Sequence, residues 1–120
     1  MATRRQWPDG GHREPQRSLD EVLELLSQYQ RREIVRYLRE GQADRSLDRL
    51  VEHLVDVERE HPGQTPGFDH MLSVLVHIHG PKLEEAGVIE YDVTSREVRY
   101  LGDEQIERAL EAIDDLADEL

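Results

Sequence analysis

Just after Gly87 the apolar period of this chain drops from that of a helix to that of a strand. Ile89, Tyr91 and Val93 alternate with Glu90 and Asp92, and Val98 and Tyr100 alternate with Glu97 and Arg99. The stretch Asp92-Val93-Thr94-Ser95-Arg96 between the runs is turn-like. Strict alternation puts successive side chains on opposite faces, so the segment predicts a two-stranded β-hairpin. Before it, from about Leu19, and after it, from Gly102, the spacing is helical. The expected fold class is therefore mainly α with a small β-hairpin, in a chain of 120 residues, the size of one ordinary domain.

Caps and stops mark the helices. Ser18-Leu19-Asp20-Glu21 is a capping-box pattern, and Leu19, Val22, Leu23 and Leu26 share one face of the helix it opens. Ser27 is the expected cap of a second helix that runs to Glu40, with Ile34, Val35 and Leu38 inward, Tyr37 beside them and Gly41 as the stop. Ser46 caps a third, striped by Leu47, Leu50, Val51, Leu54 and Val55. Thr65-Pro66 is expected to open a fourth, a cap followed by a proline in the first turn, with Phe68, Met71, Leu72 and Leu75 on one face. Leu83 and Ala86 join that face if the helix continues through Gly80-Pro81, where a kink is expected. Gly102-Asp103 opens a last helix with Ile106, Leu110, Ile113, Ala117 and Leu120 at alternating spacings of four and three. Residues 1–17 carry Pro8, Pro15, Gly10 and Gly11 without periodicity and read as a flexible tail. The tail is locally basic, with Arg4, Arg5, Arg13 and Arg17 against Asp9 and Glu14. The expected organisation is a tail over 1–17, a folded domain over 18–101 and a C-terminal helix over 102–120.

The charge balance is unusual. There are 27 Asp and Glu against 15 Lys and Arg, for a formal charge of −12, and Lys82 is the single lysine. Carboxylates hold water and ions without the apolar stem that lysine brings. Such a surface suits a cytoplasm of very high salt, and a halophilic origin is expected. The longest mainly apolar run, Met71–Val76, falls far short of the ~18–20 residues of a membrane-spanning helix. The N-terminal stretch has charge but no apolar h-region, so no secretory signal and a cytoplasmic location are expected. The absence of cysteine excludes disulfides, thiolate metal sites and cysteine nucleophiles.

Three consecutive helices followed at once by a hairpin are the order of a winged helix-turn-helix, with flanking helices at both ends. In that arrangement the helix before the hairpin is offered to the DNA major groove and the hairpin is the wing. SLDRLVEHL, from Ser46, resembles the first helix of the helix-turn-helix in ArsR-like regulators, and PKLEEAGVIEYDVTSREVRYL, from Pro81, resembles their recognition-helix end, glycine turn and wing. The stretch from Leu19 to Leu101 is more closely similar to an uncharacterised winged-helix family of halophilic archaea, through the run His79-Gly80-Pro81-Lys82-Leu83-Glu84-Glu85-Ala86-Gly87-Val88. The resemblance implies a transcription-regulator fold without a known target. The sequence departs from it early in the recognition helix, where relatives often have basic residues and this chain has Phe68, Asp69, His70 and Met71.

The expected DNA contacts are His70, Ser73, Val74, His77 and Lys82 on the fourth helix, with Arg96 and Arg99 on the wing. The partner is double-stranded DNA. The alternative is a winged-helix scaffold that has lost its basic face and binds another protein, a reading prompted by Val74, Val76 and Ile78, which make the fourth helix apolar nearly all round. The last helix is expected either to complete its own core or to pair with a second copy. The preferred reading is a homodimer through Ile106, Leu110, Ile113, Ala117 and Leu120, together with the Leu19–Leu26 helix. None of the six histidines stands four residues from another, there is no H-E-x-x-H, phosphate-loop or G-x-S-x-G pattern, and no carboxylate pair is marked as catalytic. No metal, no cofactor and no enzymatic activity are expected.

Overall fold

The computed structural model describes residues 17–41, 46–60 and 67–120. In chain order the elements are α1 (Leu19–Leu25), α2 (Tyr29–Glu40), α3 (Leu47–Glu58), α4 (Phe68–Val74), a π-helical segment (Leu75–His79), α5 (Gly80–Glu85), β1 (Ile89–Asp92), β2 (Glu97–Tyr100) and α6 (Glu104–Glu119). The protein is mainly helical with one small antiparallel hairpin, as the change of period predicts. Of the tail expected over 1–17, all but Arg17 lies outside the described residues, as do Thr65 and Pro66.

The caps act largely as their residue types dictate. Ser18 Oγ accepts from the Glu21 amide at 3.1 Å while the Glu21 carboxylate accepts from the Ser18 amide at 2.9 Å. Ser46 and Asp103 cap α3 and α6 through the amides of Arg49 and Ile106. Ser27, expected to cap α2, instead turns back and donates to the Glu24 carbonyl at 2.8 Å, and Gln28 stands at the α2 cap. The first helix ends so close to α2 that its free carbonyls compete for the serine. Gly67, not Thr65, stands at the cap of α4.

The helix before the hairpin does not break at Gly80-Pro81. It runs from Phe68 to Glu85 and widens into a π turn, in which the Gly80 amide donates to the Leu75 carbonyl five residues back. Proline has no N–H, so the Val76 carbonyl loses the donor that the next π bond would supply. Tyr91 of β1 fills the vacancy, its hydroxyl donating to Val76 O at 3.2 Å. Gly80 is required at this crossing: a Cβ there would stand 2.6 Å from Leu75 O and 3.0 Å from the Tyr91 ring. Gly87 then ends the helix with φ of 80°, the Val88 amide donating to Leu83 O and the Gly87 amide to Glu84 O, a Schellman pair that turns the chain into β1.

The hairpin pairs Ile89 with Tyr100 and Asp92 with Glu97. Its loop is held by Asp92 Oδ1, which accepts from the Thr94 and Ser95 amides, and by Arg96, the one non-glycine residue with positive φ (59°) among those described. Ser46 forms an isolated bridge with Glu97, and the Leu47 amide donates to Arg96 O at 3.0 Å, so the start of α3 lies beside β2.

One core joins all the elements, with Leu26, Ile34, Val35, Leu47, Leu50, Val51, Leu83, Val88, Ile89, Val98, Ile106 and Leu110 each almost wholly buried. Two expectations change here. Ile106 and Leu110 of the proposed dimer stripe are inside the chain's own core, Ile113 is half-buried, and only Ala117 and Leu120 remain fully exposed. The reason is that this face of α6 packs on α1 and into the core, with a ladder of ion pairs to α2 along its edge, Arg36 on Asp114, and Arg39 on Glu111 at 3.2 Å and on Glu107 at 3.7 Å. Arg17 is not tail. Its buried guanidinium bonds the Asp103 carboxylate and the Ala86 carbonyl, tying the end of α5 to the start of α6.

Candidate functional site

The surface that the hairpin and the preceding helix share is set by how that helix is rotated. Met71, Leu75, His79 and Leu83 all face inward. Twelve residues at 100° each would carry such a four-residue spacing about 120° off the core, and the underwound π turn takes up most of that drift. His70, Ser73 and His77 are left on the outer side, exposed as expected, with Val74 half-buried at its edge. Ile78 stands on this side too, 55 % exposed. Sequence reasoning placed Ile78 off the core face but did not single it out. The signal was the four-residue spacing itself.

A buried clasp fixes the rotation from behind. Arg31 of α2 donates through Nε to the Leu25 carbonyl at 2.6 Å and through a terminal nitrogen to the Glu24 carbonyl at 2.9 Å, closing the end of α1. Its other terminal nitrogen stands 3.2 Å from His79 Nδ1. Beside a guanidinium that nitrogen is the acceptor, so the imidazole is neutral. Burial, and then the Arg31 charge, hold the His79 pKa below its ordinary value. Arg31 does not stand out in the sequence, because one of four arginines on an amphipathic helix reads as surface.

The expected cations are less free than their residue types suggest. Lys82 Nζ lies 2.5 Å from Glu24 Oε1, and this hydrogen bond holds the Glu24 carboxyl below its usual range. Arg96 reaches Asp48 of α3 at 3.1 Å. Arg99 is half-buried on β2. The structure thus brings His70, Ser73, Val74 and His77 onto one face, with Lys82 toward α1 and Arg96 at the hairpin loop beside α3. Among the described residues no group of three His, Asp or Glu side chains is placed to hold a metal ion, and no helix is long and apolar enough to cross a membrane.

A domain of unknown function, DUF7344, matches residues 23–99, more than half of the chain. The chain belongs to the DUF7344 family. The matched span runs from within α1 to within β2, so it takes in the Arg31–His79 clasp, the π turn and nearly all of the hairpin, and leaves out Arg17 and α6. No curated protein and no solved structure matches the chain.

Proposed function

We propose that this DUF7344 chain is a DNA-binding regulator of transcription of winged-helix type, adapted to high salt and acting in the cytoplasm as a homodimer. The observation that carries the reading is the link between the start of α3 and the hairpin. The bond from the Leu47 amide to Arg96 O and the Ser46–Glu97 bridge tie the start of α3 to the hairpin, a link that supports a winged-helix arrangement of α3, the helix from Phe68 and the hairpin. The outer side of that helix carries two imidazoles and a hydroxyl, groups that hydrogen-bond base edges, and Arg96 and Arg99 stand on the wing for phosphates. For the dimer, the apolar side chains left outside are Leu19 and Leu23 on α1 and Leu116 and Leu120 on α6. Placing Asp at Leu116 and Leu120 should give a folded monomer by sedimentation, while wild type runs at twice the chain mass.

The test is binding of duplex fragments in molar KCl, where the fold is expected to be at its most stable. Wild type should retain a subset of fragments, and Lys82→Glu, Arg96→Glu and Arg99→Glu together should abolish retention. The pairing of Lys82 and Arg96 within the chain, together with the exposed Ile78, favours a second reading, a protein-interaction module on the same scaffold. Retention of no fragment by wild type would favour that second reading.

A further inference from the structure

We propose that Ile78, carried outward on the π turn, is a specificity-determining contact of this helix, and that it seats against the 5-methyl group of thymine in the major groove. The inference rests on the DNA-binding reading above and names the base feature that the helix would read. Between Phe68 and Pro81 the helix has no lysine or arginine. Its outer side offers His70, Ser73 and His77 as hydrogen-bonding groups and a single large exposed aliphatic side chain, Ile78, with Val74 half-buried one turn before it. Of the four bases, thymine alone presents an apolar group in the major groove. A helix with few cations also releases few counterions on binding, so its discrimination must come from groove contacts rather than from phosphates.

The placement of Ile78 is built, not incidental. In an unbroken α-helix the residue three positions after the buried Leu75 turns toward the core side. The π turn brings it round beside His70 and His77 and sends His79 inward in its place. Three separate features hold that turn: Gly80, which admits the Leu75 carbonyl and the Tyr91 ring, the Tyr91 hydroxyl on Val76 O, and Arg31 on His79. This π turn re-aims a side chain, and such turns occur frequently at functional sites.

The experiment selects duplexes from a random pool in molar KCl and then replaces each thymine of the bound site by deoxyuridine, which removes only the methyl group. Binding is read by fluorescence anisotropy. At one or two positions wild type should lose about fourfold in affinity, the value of one buried methyl-sized group. Ile78→Ala, an exposed substitution whose folding circular dichroism checks, should bind thymine and deoxyuridine sites alike, whereas Arg99→Glu should weaken both equally and keep the difference. Duplex binding with no thymine dependence in wild type, or a dependence that survives in Ile78→Ala, would overturn the inference and leave the DNA-binding reading intact. Failure to select any duplex would overturn both.

Discussion

The helix that runs from Phe68 to Glu85 and the helix α6 are both amphipathic and both anchored in the same core, yet their outer sides differ. From Asp103 to Glu119 there are eight carboxylates against Arg108 alone. From Phe68 to Glu85 there are three, Asp69, Glu84 and Glu85, against Lys82 and the exposed His70 and His77. The acidity of this chain is therefore distributed unevenly. It is dense on α6, where arginines of α2 neutralise its inner edge, and sparse where a polyanion would have to approach. The two helices share the core but differ in their polar contacts, α6 with ion pairs to α2 at the surface and the π-containing helix with a buried clasp. Substitutions should separate these two modes.

The largest contrast is expected within α6 itself. Leu110→Ala should cost about 3 kcal/mol in urea unfolding, as for a leucine truncated in a closed core. Glu119→Ala should change stability by less than about 0.5 kcal/mol, because Glu119 is exposed. Equal costs would show that α6 is not packed as described.

Next is the clasp. Arg31→Met should cost about 2–3 kcal/mol, because it leaves the Leu25 carbonyl and His79 without their donor. The same clasp sets a pH limb. The folded pKa of His79 lies below its ordinary 6.5, so its contribution is complete above pH 6.5 and is lost as pH falls, the unfolded chain binding the proton first. Tyr100 gives the opposite limb. Burial and its bond to Glu107 raise its pKa, so stability is held below pH 10 and lost above it, as the unfolded chain deprotonates first. Melting temperature against pH should fall at both ends, and His79→Gln should remove part of the acid limb. An unchanged acid limb in that variant would contradict the neutral-imidazole account.

The smallest effect is expected at the ladder. Arg39→Ala should lower the melting temperature only slightly in dilute buffer and not measurably in molar KCl, since the side chains of Arg39 and Glu111 are largely open to solvent. The wild-type melting temperature should rise over the same change of salt, as repulsion among the carboxylates of α6 is screened. A fall would remove the high-salt reading.

Much of this was legible in the sequence, for identifiable reasons. The hairpin, its bounds and the caps at Ser18, Ser46 and Asp103 follow from period and cap chemistry, both of which are local. The dimer stripe was misread in part because Ile106 and Leu110 have the same spacing whether they meet a second copy or their own α1 and α2. The kink expected at Gly80-Pro81 became a π turn because Tyr91, eleven residues on, supplies the missing donor. No local pattern carries that information. Arg17 looked like tail for the same reason: its partners, Ala86 and Asp103, are distant in the chain.

The central claim is that the helix from Phe68 and the hairpin, not α6, form the face that meets DNA. Backbone amide NMR of the protein in molar KCl, with and without a selected duplex, tests it most directly. Shifts concentrated over 69–82 and 92–99, with α6 beyond Leu110 unmoved, are the predicted result. Shifts confined to α1 and the outer half of α6, or none on adding any duplex, would contradict it.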